Sequence, residues 1–429
     1  MTSTPLYRSR PRGSEIRPAS QLEAQKINDF IYLSEGLSNS YLLTTAEGRI
    51  VVNTGMGFEA PVHKRNFDAI DDGPVRYILL TQGHVDHVGG VDLFRGPDTQ
   101  LIAQANNRAQ QADDARIGAF RASRSAFAFA EAIARAWKHI QDNAGGPIPP
   151  QSRPTPDITF EDRYELGLGG IRLELLSTPG GETTDSMVIW LPDHGICLCG
   201  NLFSALFGHF PNLVTIRGDR YRDALRFIDS LERVRELGPE LLLTGHHGPI
   251  AGKETIHGEL TRIRDAVQYV HDETVRGMNL GKDVYSLMRD VELPPALEVG
   301  QGYGKVSWSV RAIWETYAGW FHHSSTTELY PVPAKSVHAD LVDLAGGAEV
   351  VAERAKHKLS RREPVEAIHL AEVALTASPT NPMALEVMIA AHEQLERESD
   401  NFWLTQWLRR QLTVLRGALE AAHREEGRS

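Results

Sequence analysis

Cysteine is almost absent from this chain: two occur in 429 residues, Cys197 and Cys199, both in GICLCG. A pair so close cannot staple a domain of this size. On a strand both side chains would point to one face, which reads as buried strand cysteines, the alternative being a C-x-C metal pair. No apolar run is long enough to span a bilayer, and the opening MTSTPLYRSRPRGSEIRPAS lacks the apolar segment of a secretory signal or an anchor. A cytoplasmic location without membrane insertion is therefore expected. A Lys/Arg block interleaved with aromatics is also missing, and acidic residues outnumber basic ones by 56 to 45. That balance argues against a nucleic-acid surface and for a small-molecule partner.

The length suits one large unit plus a smaller appended one. After a segment to about residue 25 expected to be flexible, INDFIYLSEGLSNSYLLTTAEGRIVVNTGMG reads as an antiparallel meander. VRYILL is a buried strand that delivers the chain into TQGHVDHVGG. Residues 113 to 143 have helical spacing, and GGPIPPQSRPTP ends the pattern as a loop. Strands return in YELGLGGIRLELLSTPGG, SMVIWL and GICLCG. Leu225, Ile228, Leu231 and Val234 then mark one helix face, and ELLLTGHHGPI ends another buried strand in histidines. From His338 on the chain reads as helical, and PVEAIHLAEVALTASPTNPMALEVMIAAHEQL fits either a tetratricopeptide-type pair or an ordinary bundle. The resulting units are residues 26–333 and 334–429.

His84, Asp86 and His87 place two imidazoles and a carboxylate within four residues of one loop, a donor set suited to metal ions. The loop resembles the T-H-x-H-x-D-H-x-G-G signature of the metallo-β-lactamase fold. TPGGETTDSM, LVTIRG, TGHHGPI and VSWSVRAIWETYAGW resemble, in order, motifs of the alkylsulfatase group within it. The resemblance runs from about Asp29 to Leu419 and implies an α/β fold: an αββα sandwich followed by an all-α, TPR-like dimerisation region, hence a homodimer.

By that resemblance one ion falls to Gln82, His84 and Glu182, the other to Asp86, His87 and His246, with the bridging carboxylate's place taken by Asn201. The implied cofactor is zinc, one or two per chain, with iron or manganese as alternatives. At Gln82 the family has histidine, and at Asn201 a carboxylate, so two neutral amides replace stronger ligands. Two dications about 3.5–4 Å apart repel by roughly 20 kcal/mol even at an effective dielectric near 20, so loss of the bridge should weaken the pair. Gln82 is either an amide-oxygen ligand or a loop hydrogen-bonder, and Glu182 either a ligand or a turn cap. Arg217 matches a sulfate contact or, alternatively, pairs at the surface with Asp219. His247 is expected to line the pocket or to bond behind the ligands.

Trp308-Ser309 stands where the family has His-Asn, which implies a changed substrate pocket. His322 and His323 read as exposed loop histidines, or else as a recruited site. The expected activity is hydrolysis of a small or medium organic ester, sulfate foremost, by a metal-activated water that Asp86 orients or deprotonates. A lactonase, phosphoesterase or β-lactam hydrolase on the same fold, or a metal-poor dimeric scaffold, are the alternatives.

Overall fold

The structure is a computed structural model that describes residues 4–426. It forms two compact units, one ending at Tyr317 and one beginning at Ala318.

The first unit is built on two sheets. β1 (Gln25–Lys26), β2 (Ile31–Ser34), β3 (Ser40–Thr45), β4 (Gly48–Val52), β5 (Val75–Leu79), β6 (Gln100–Gln104) and β7 (Ile158–Phe160) lie side by side in chain order. β1 to β4 pair antiparallel, as the meander predicts, and β4 to β7 pair parallel. Parallel neighbours need crossovers, here α1 (Ala60–Asp68), the short α2 (Val85–Val88) and α3 (Val91–Phe94), and the pair α4 (Asn107–Arg116) and α5 (Gly118–Asn143). The second sheet runs β8 (Arg163–Leu168), β9 (Ile171–Ser177), β10 (Met187–Leu191), β11 (Ile196–Gly200), β12 (Leu241–Thr244) and β13 (Ile250–Ala251).

Alternation along the strands assigns the two faces. Leu43, Ile50, Val52 and Leu79 share one core with Leu173, Leu175, Ile189, Leu198 and Leu243 of the second sheet. Their sequence neighbours Leu42, Val51 and Ile78 pack outward on Phe67, Val91 and Phe94 of the covering helices. Both faces of the first sheet are thus buried, which explains its continuous apolar runs. Cys197 and Cys199 are buried on β11.

α6 (Ala224–Leu237) starts on Asp223, whose carboxylate accepts from Leu225 N and Arg226 N, and stops at Gly238 in the left-handed conformation. Ile228, Leu231 and Val234 are buried as their spacing predicts, whereas Leu225, in the first turn, stays 40% exposed. α7 (Lys253–Asn279), α8 (Val284–Asp290) and α9 (Val306–Ala318) follow.

Residues 4–25, expected as a flexible segment, are fastened at several points. Arg8 pairs with Glu298 at 2.6 Å, Arg10 donates to Gly248 O at 2.7 Å, and Ala19 N donates to the buried Glu59 at 2.8 Å.

In the second unit α10 (His338–Ala345), α11 (Ala348–Ser360), α12 (Pro364–Ala377), α13 (Pro382–Arg397) and α14 (Phe402–Glu426) follow in succession. From α10 to α13 each packs on the next and on the next but one where the chain provides it, and α14 packs on α13. Ala352, Ala355, Ala367, Ala371, Ala374 and Ala391 fill the crossings, letting the helices approach closely, as stacked helix pairs require. Among the described residues no helix is long and apolar enough to cross a membrane.

Two enclosed histidines make the first unit acid-sensitive. His63 on α1 lies 2.8 Å from Ser34 Oγ, and burial lowers its pKa from 6.5 to about 3. Burial lowers His209, whose Nδ1 accepts from Gly302 N at 2.9 Å, to about 4. Both folded values are depressed, so their contribution is complete above the unfolded value and is lost as pH falls towards the folded ones. Urea unfolding should lose about 1.4 kcal/mol per pH unit per histidine below pH ~6.5. His63→Asn should flatten that slope; a slope unchanged by the substitution would exclude His63 as a source.

Candidate metal centre

Strand direction gathers the centre. β9 and β11 are each antiparallel to β10, and β12 is parallel to β11, so β9, β11 and β12 point the same way. Their C-terminal ends lead into Glu182, Asn201 and His246, while β5 leads into the loop of Gln82, His84, Asp86 and His87. Cross-links set the loops in register. Asn53 Oδ1 accepts from Thr81 N at 3.0 Å, Thr54 N donates to His87 O at 2.8 Å, and Asn39 Nδ2 donates to Thr244 O and His247 O at 2.9 and 2.8 Å. Gly245 is obligatory, since a Cβ there would stand 1.9 Å from Asn201 Oδ1.

Gln82, His84, His87, Glu182, Asn201 and His246 are all buried. Gln82 Nε2 lies 2.9 Å from His84 Nδ1 and donates to Glu182 Oε2 at 3.3 Å. Asn201 Nδ2 donates to His87 Nε2 and to the same Glu182 oxygen, both at 3.2 Å. The other Glu182 oxygen accepts from Arg222 Nη1 at 3.3 Å. His84 Nε2 faces Asp219 Oδ2 at 3.8 Å, and Ser38 Oγ lies 3.1 Å from His87 Nδ1.

The protonation pattern divides the centre. Burial opposes charge on Glu182, but Arg222, His84 and Arg217 outweigh it and hold the carboxyl well below its usual range. Burial also opposes charge on His84, yet Asp219 and Glu182 lift its pKa to about 9. Burial keeps His87 neutral down to about pH 4 and lowers His246 as well. Asp86 stays ionised despite burial because His87, His84 and His246 surround it. Arg217 meets a burial penalty, but Tyr303, Glu182, Asp86 and Asp219 hold its pKa above the usual range. Asp219, one of those groups, also faces His84 at 3.8 Å and Arg121 at 3.7 Å.

The sequence profile of the metallo-beta-lactamase superfamily matches residues 33–246, and that of alkyl sulfatase dimerisation matches residues 285–417. The chain belongs to the alkylsulfatase-like group of the metallo-β-lactamase superfamily. It is 27% identical over 395 residues to a linear primary-alkylsulfatase of a Pseudomonas species, covering 88% of this chain and 74% of that protein. It is 26% identical to the alkyl/aryl-sulfatase BDS1 of Saccharomyces cerevisiae, covering 87% of this chain and 61% of that one. The stereoselective inverting sec-alkylsulfatase Pisa1 from Pseudomonas sp. has the same fold, with a TM-score of 0.78 at 20% identity, over 94% of this chain and 66% of that chain.

Metal ions are a property of the superfamily, and the donors here test the fit. Asp86, His87 and His246 offer an ionised carboxylate and two neutral imidazoles, and His246 Nδ1 is buried without a hydrogen-bond partner. That chemistry fits a zinc-class cation. At the neighbouring position both oxygens of Glu182 are bonded to the chain's own donors, and the Gln82 amide turns its NH2 group towards Glu182 and His84. Among the described residues no three His, Cys, Asp or Glu side chains are gathered closely enough to hold an ion as they stand. Asp86 Oδ2 and His87 Nε2, for instance, are 3.7 Å apart.

His247 takes a left-handed backbone conformation at φ 60°, an uncommon geometry for a non-glycine residue, and lines a cleft beside the N-terminal segment. Trp308 lies half-buried on α9. Asn212 and Arg222 escaped the sequence reading, as did the meeting of Asp219 with His84; an arginine five residues after Arg217 in a loop carries no signal until Glu182 is seen beside it. Of His322 and His323, the second is exposed.

Two outcomes follow for this superfamily member. His87→Ala should cut metal content to below roughly a tenth, the loss of one strong ligand, whereas Gln82→Ala should leave it within about twofold; elemental analysis checks both, and equal losses would contradict the division. Arg222→Ala should cost about 3–5 kcal/mol in urea unfolding, because it strands the Glu182 charge in the interior.

Proposed function

We propose that this chain is a metal-dependent hydrolase of small or medium organic sulfate esters, working as a homodimer. The observation that carries the reading is a set of buried donors without hydrogen-bond partners on one loop: Asn212 Nδ2, Thr215 Oγ1, and Arg222 Nε and Nη2. Unpaired donors are costly in an interior, and their concentration beside Arg217 suits the oxygens of an anionic tetrahedral group. A neutral lactone or lactam would leave most of them unsatisfied. Similarity to alkylsulfatases supports the same bond type.

Asp86, His87 and His246 would hold the cation, zinc by its donor chemistry, and Gln82, His84, Glu182 and Asn201 shape its neighbourhood. The chemistry that a zinc-class cation supplies when bound is acidification of water towards neutrality and compensation of charge on the departing oxygen. Asp86, ionised at neutral pH and less enclosed than its neighbours, is the acceptor for the water's proton. Arg217 holds the sulfate group, and His247 and Trp308 bound the organic part. Hydrolysis adds one water to the ester and yields an alcohol, sulfate and a proton.

Sulfate release from 4-nitrophenyl sulfate and short alkyl sulfates, compared with 4-nitrophenyl phosphate and lactones, tests the bond type. Sulfate esters should be turned over and chelator should stop the reaction; cleavage of lactones or phosphates with no sulfatase activity would sink the reading. Arg217→Ala should lower kcat/KM for sulfate esters by roughly 10- to 150-fold, the worth of a charged hydrogen bond, with folding intact.

The second unit supports the dimer. Its helices leave Leu341, Leu344, Val350 and Val365 exposed, and the dimerisation profile covers most of it. Full-length protein should sediment as a dimer; a monomer across a hundredfold concentration range would refute this.

A further inference from the structure

We infer that the centre holds a single divalent cation, at Asp86, His87 and His246, and that the neighbouring position between Gln82, His84 and Glu182 is filled by the chain's own amide groups and the Arg222 guanidinium. The inference rests on the metallo-hydrolase reading and fixes its stoichiometry.

A cation binds to lone pairs, so the question at each position is what those lone pairs already face. At the first position both oxygens of Glu182 face donors, while His84 Nε2 is buried without a hydrogen-bond partner. Gln82 Nε2 lies 2.9 Å from His84 Nδ1; Glu182 Oε2 accepts from Gln82 Nε2 at 3.3 Å and Asn201 Nδ2 at 3.2 Å; and Glu182 Oε1 accepts from Arg222 Nη1 at 3.3 Å. An amide nitrogen donates and does not accept, so neither NH2 group can serve as a ligand in this orientation. The orientation is itself fixed by Glu182. Turning either amide over would set its oxygen against a buried carboxylate.

Charge leads to the same conclusion. Glu182 brings one negative charge into the interior and Arg222, itself buried, brings one permanent positive charge against it. A divalent ion placed there would add two more positive charges beside a guanidinium that cannot lose its own. The ion would have to displace the amides and outbid Arg222 at the same carboxylate.

At the second position the balance is reversed. His246 Nδ1 is buried and unpartnered, and Asp86 Oδ2 meets His87 Nε2 only as far away as 3.7 Å. His87 Nε2 has two contacts, from Asn201 at 3.2 Å and from Ser38 Oγ at 3.4 Å, and Ser38 Oγ lies nearer to Nδ1 at 3.1 Å. Binding an ion there displaces these two contacts, after which Asn201 keeps its bond to Glu182 and Ser38 its contact with Nδ1. Two contacts at one imidazole nitrogen are exchanged for three ligands, whereas the first position would exchange two hydrogen bonds to Glu182 and an ion pair.

The test counts ions. Full-length protein stripped of metal and titrated with Co2+ should saturate at one equivalent by elemental analysis, with one set of ligand-field bands. The double variant Gln82→His with Asn201→Glu should take two. If that variant does not fold, two single changes serve in its place: His87→Ala should lose the ion, and Glu182→Gln should still bind one ion, with a loss in affinity of no more than about 100-fold, since Glu182 is a structural partner here. Two tight equivalents on the unaltered chain, or loss of the ion by Glu182→Gln with His87→Ala unaffected, would overturn the inference and leave the hydrolase reading standing. No bound ion on the unaltered chain would bring down the hydrolase reading itself.

Discussion

A carboxylate inside a protein must be paired, and the one at Glu182 organises everything around it. Its two oxygens draw donors from three separate places: Gln82 from the loop after β5, Asn201 from the end of β11, and Arg222 from the approach to α6. Removing any one donor leaves part of a charge unmatched in surroundings where that is expensive. The two sheets are joined by an apolar core, which is tolerant of small slips, but the Glu182 cluster is not. Hydrogen bonds at fixed lengths from both sheets hold the loop ends to a register that oily contact alone would not define.

That requirement explains how the scaffold is finished near the site. Gly245 must lack a side chain because Asn201 occupies the space, and Gly200 takes a left-handed conformation with Thr81 close against it. Tyr41 on β3 donates to Thr244 O at 2.6 Å, fixing the end of β12 just before His246. Each device lies within a few residues of a candidate ligand. Shifts of register occur both between Leu198 and Gly200 on β11, just before Asn201, and between Arg49 and Ile50 on β4.

The strands and the metal loop were legible because their signals are local. Period-2 alternation marks β2 to β4, a short apolar run marks β5, and His84, Asp86 and His87 lie within four residues. What could not be read were relations between distant residues. Nothing near Asp219 says that it will face His84 and Arg121, and nothing near Arg222 says that it will meet a carboxylate forty residues earlier. The helix beginning at Ala224 was legible in period but not in phase at its edge, since Leu225 sits in a first turn that overhangs the core. Residues 4–25 carry no periodicity at all, and their order comes from partners at Gly248, Glu298 and Glu59 that only the fold supplies.

Gln82 and Asn201 were visible in the sequence as departures, but their meaning was not. Read alone, each is a ligand weakened. Placed together they are complementary: both direct an NH2 group at the same oxygen of Glu182, and each also reaches a histidine. One amide without the other would leave a half-satisfied carboxylate, so the two changes make physical sense as a pair. Random loss of a metal site predicts no such agreement, since most replacements at either position would bring no donor to that oxygen. The donors at Asn212, Thr215 and Arg222 lie on the far side of this bargain, buried and unpaired, and a decayed centre would have little reason to keep them in that state. On the proposed reading, hydrogen bonds re-formed at one position, with candidate ligands at the other and unpaired donors on the neighbouring loop, describe a site whose charge has been redistributed.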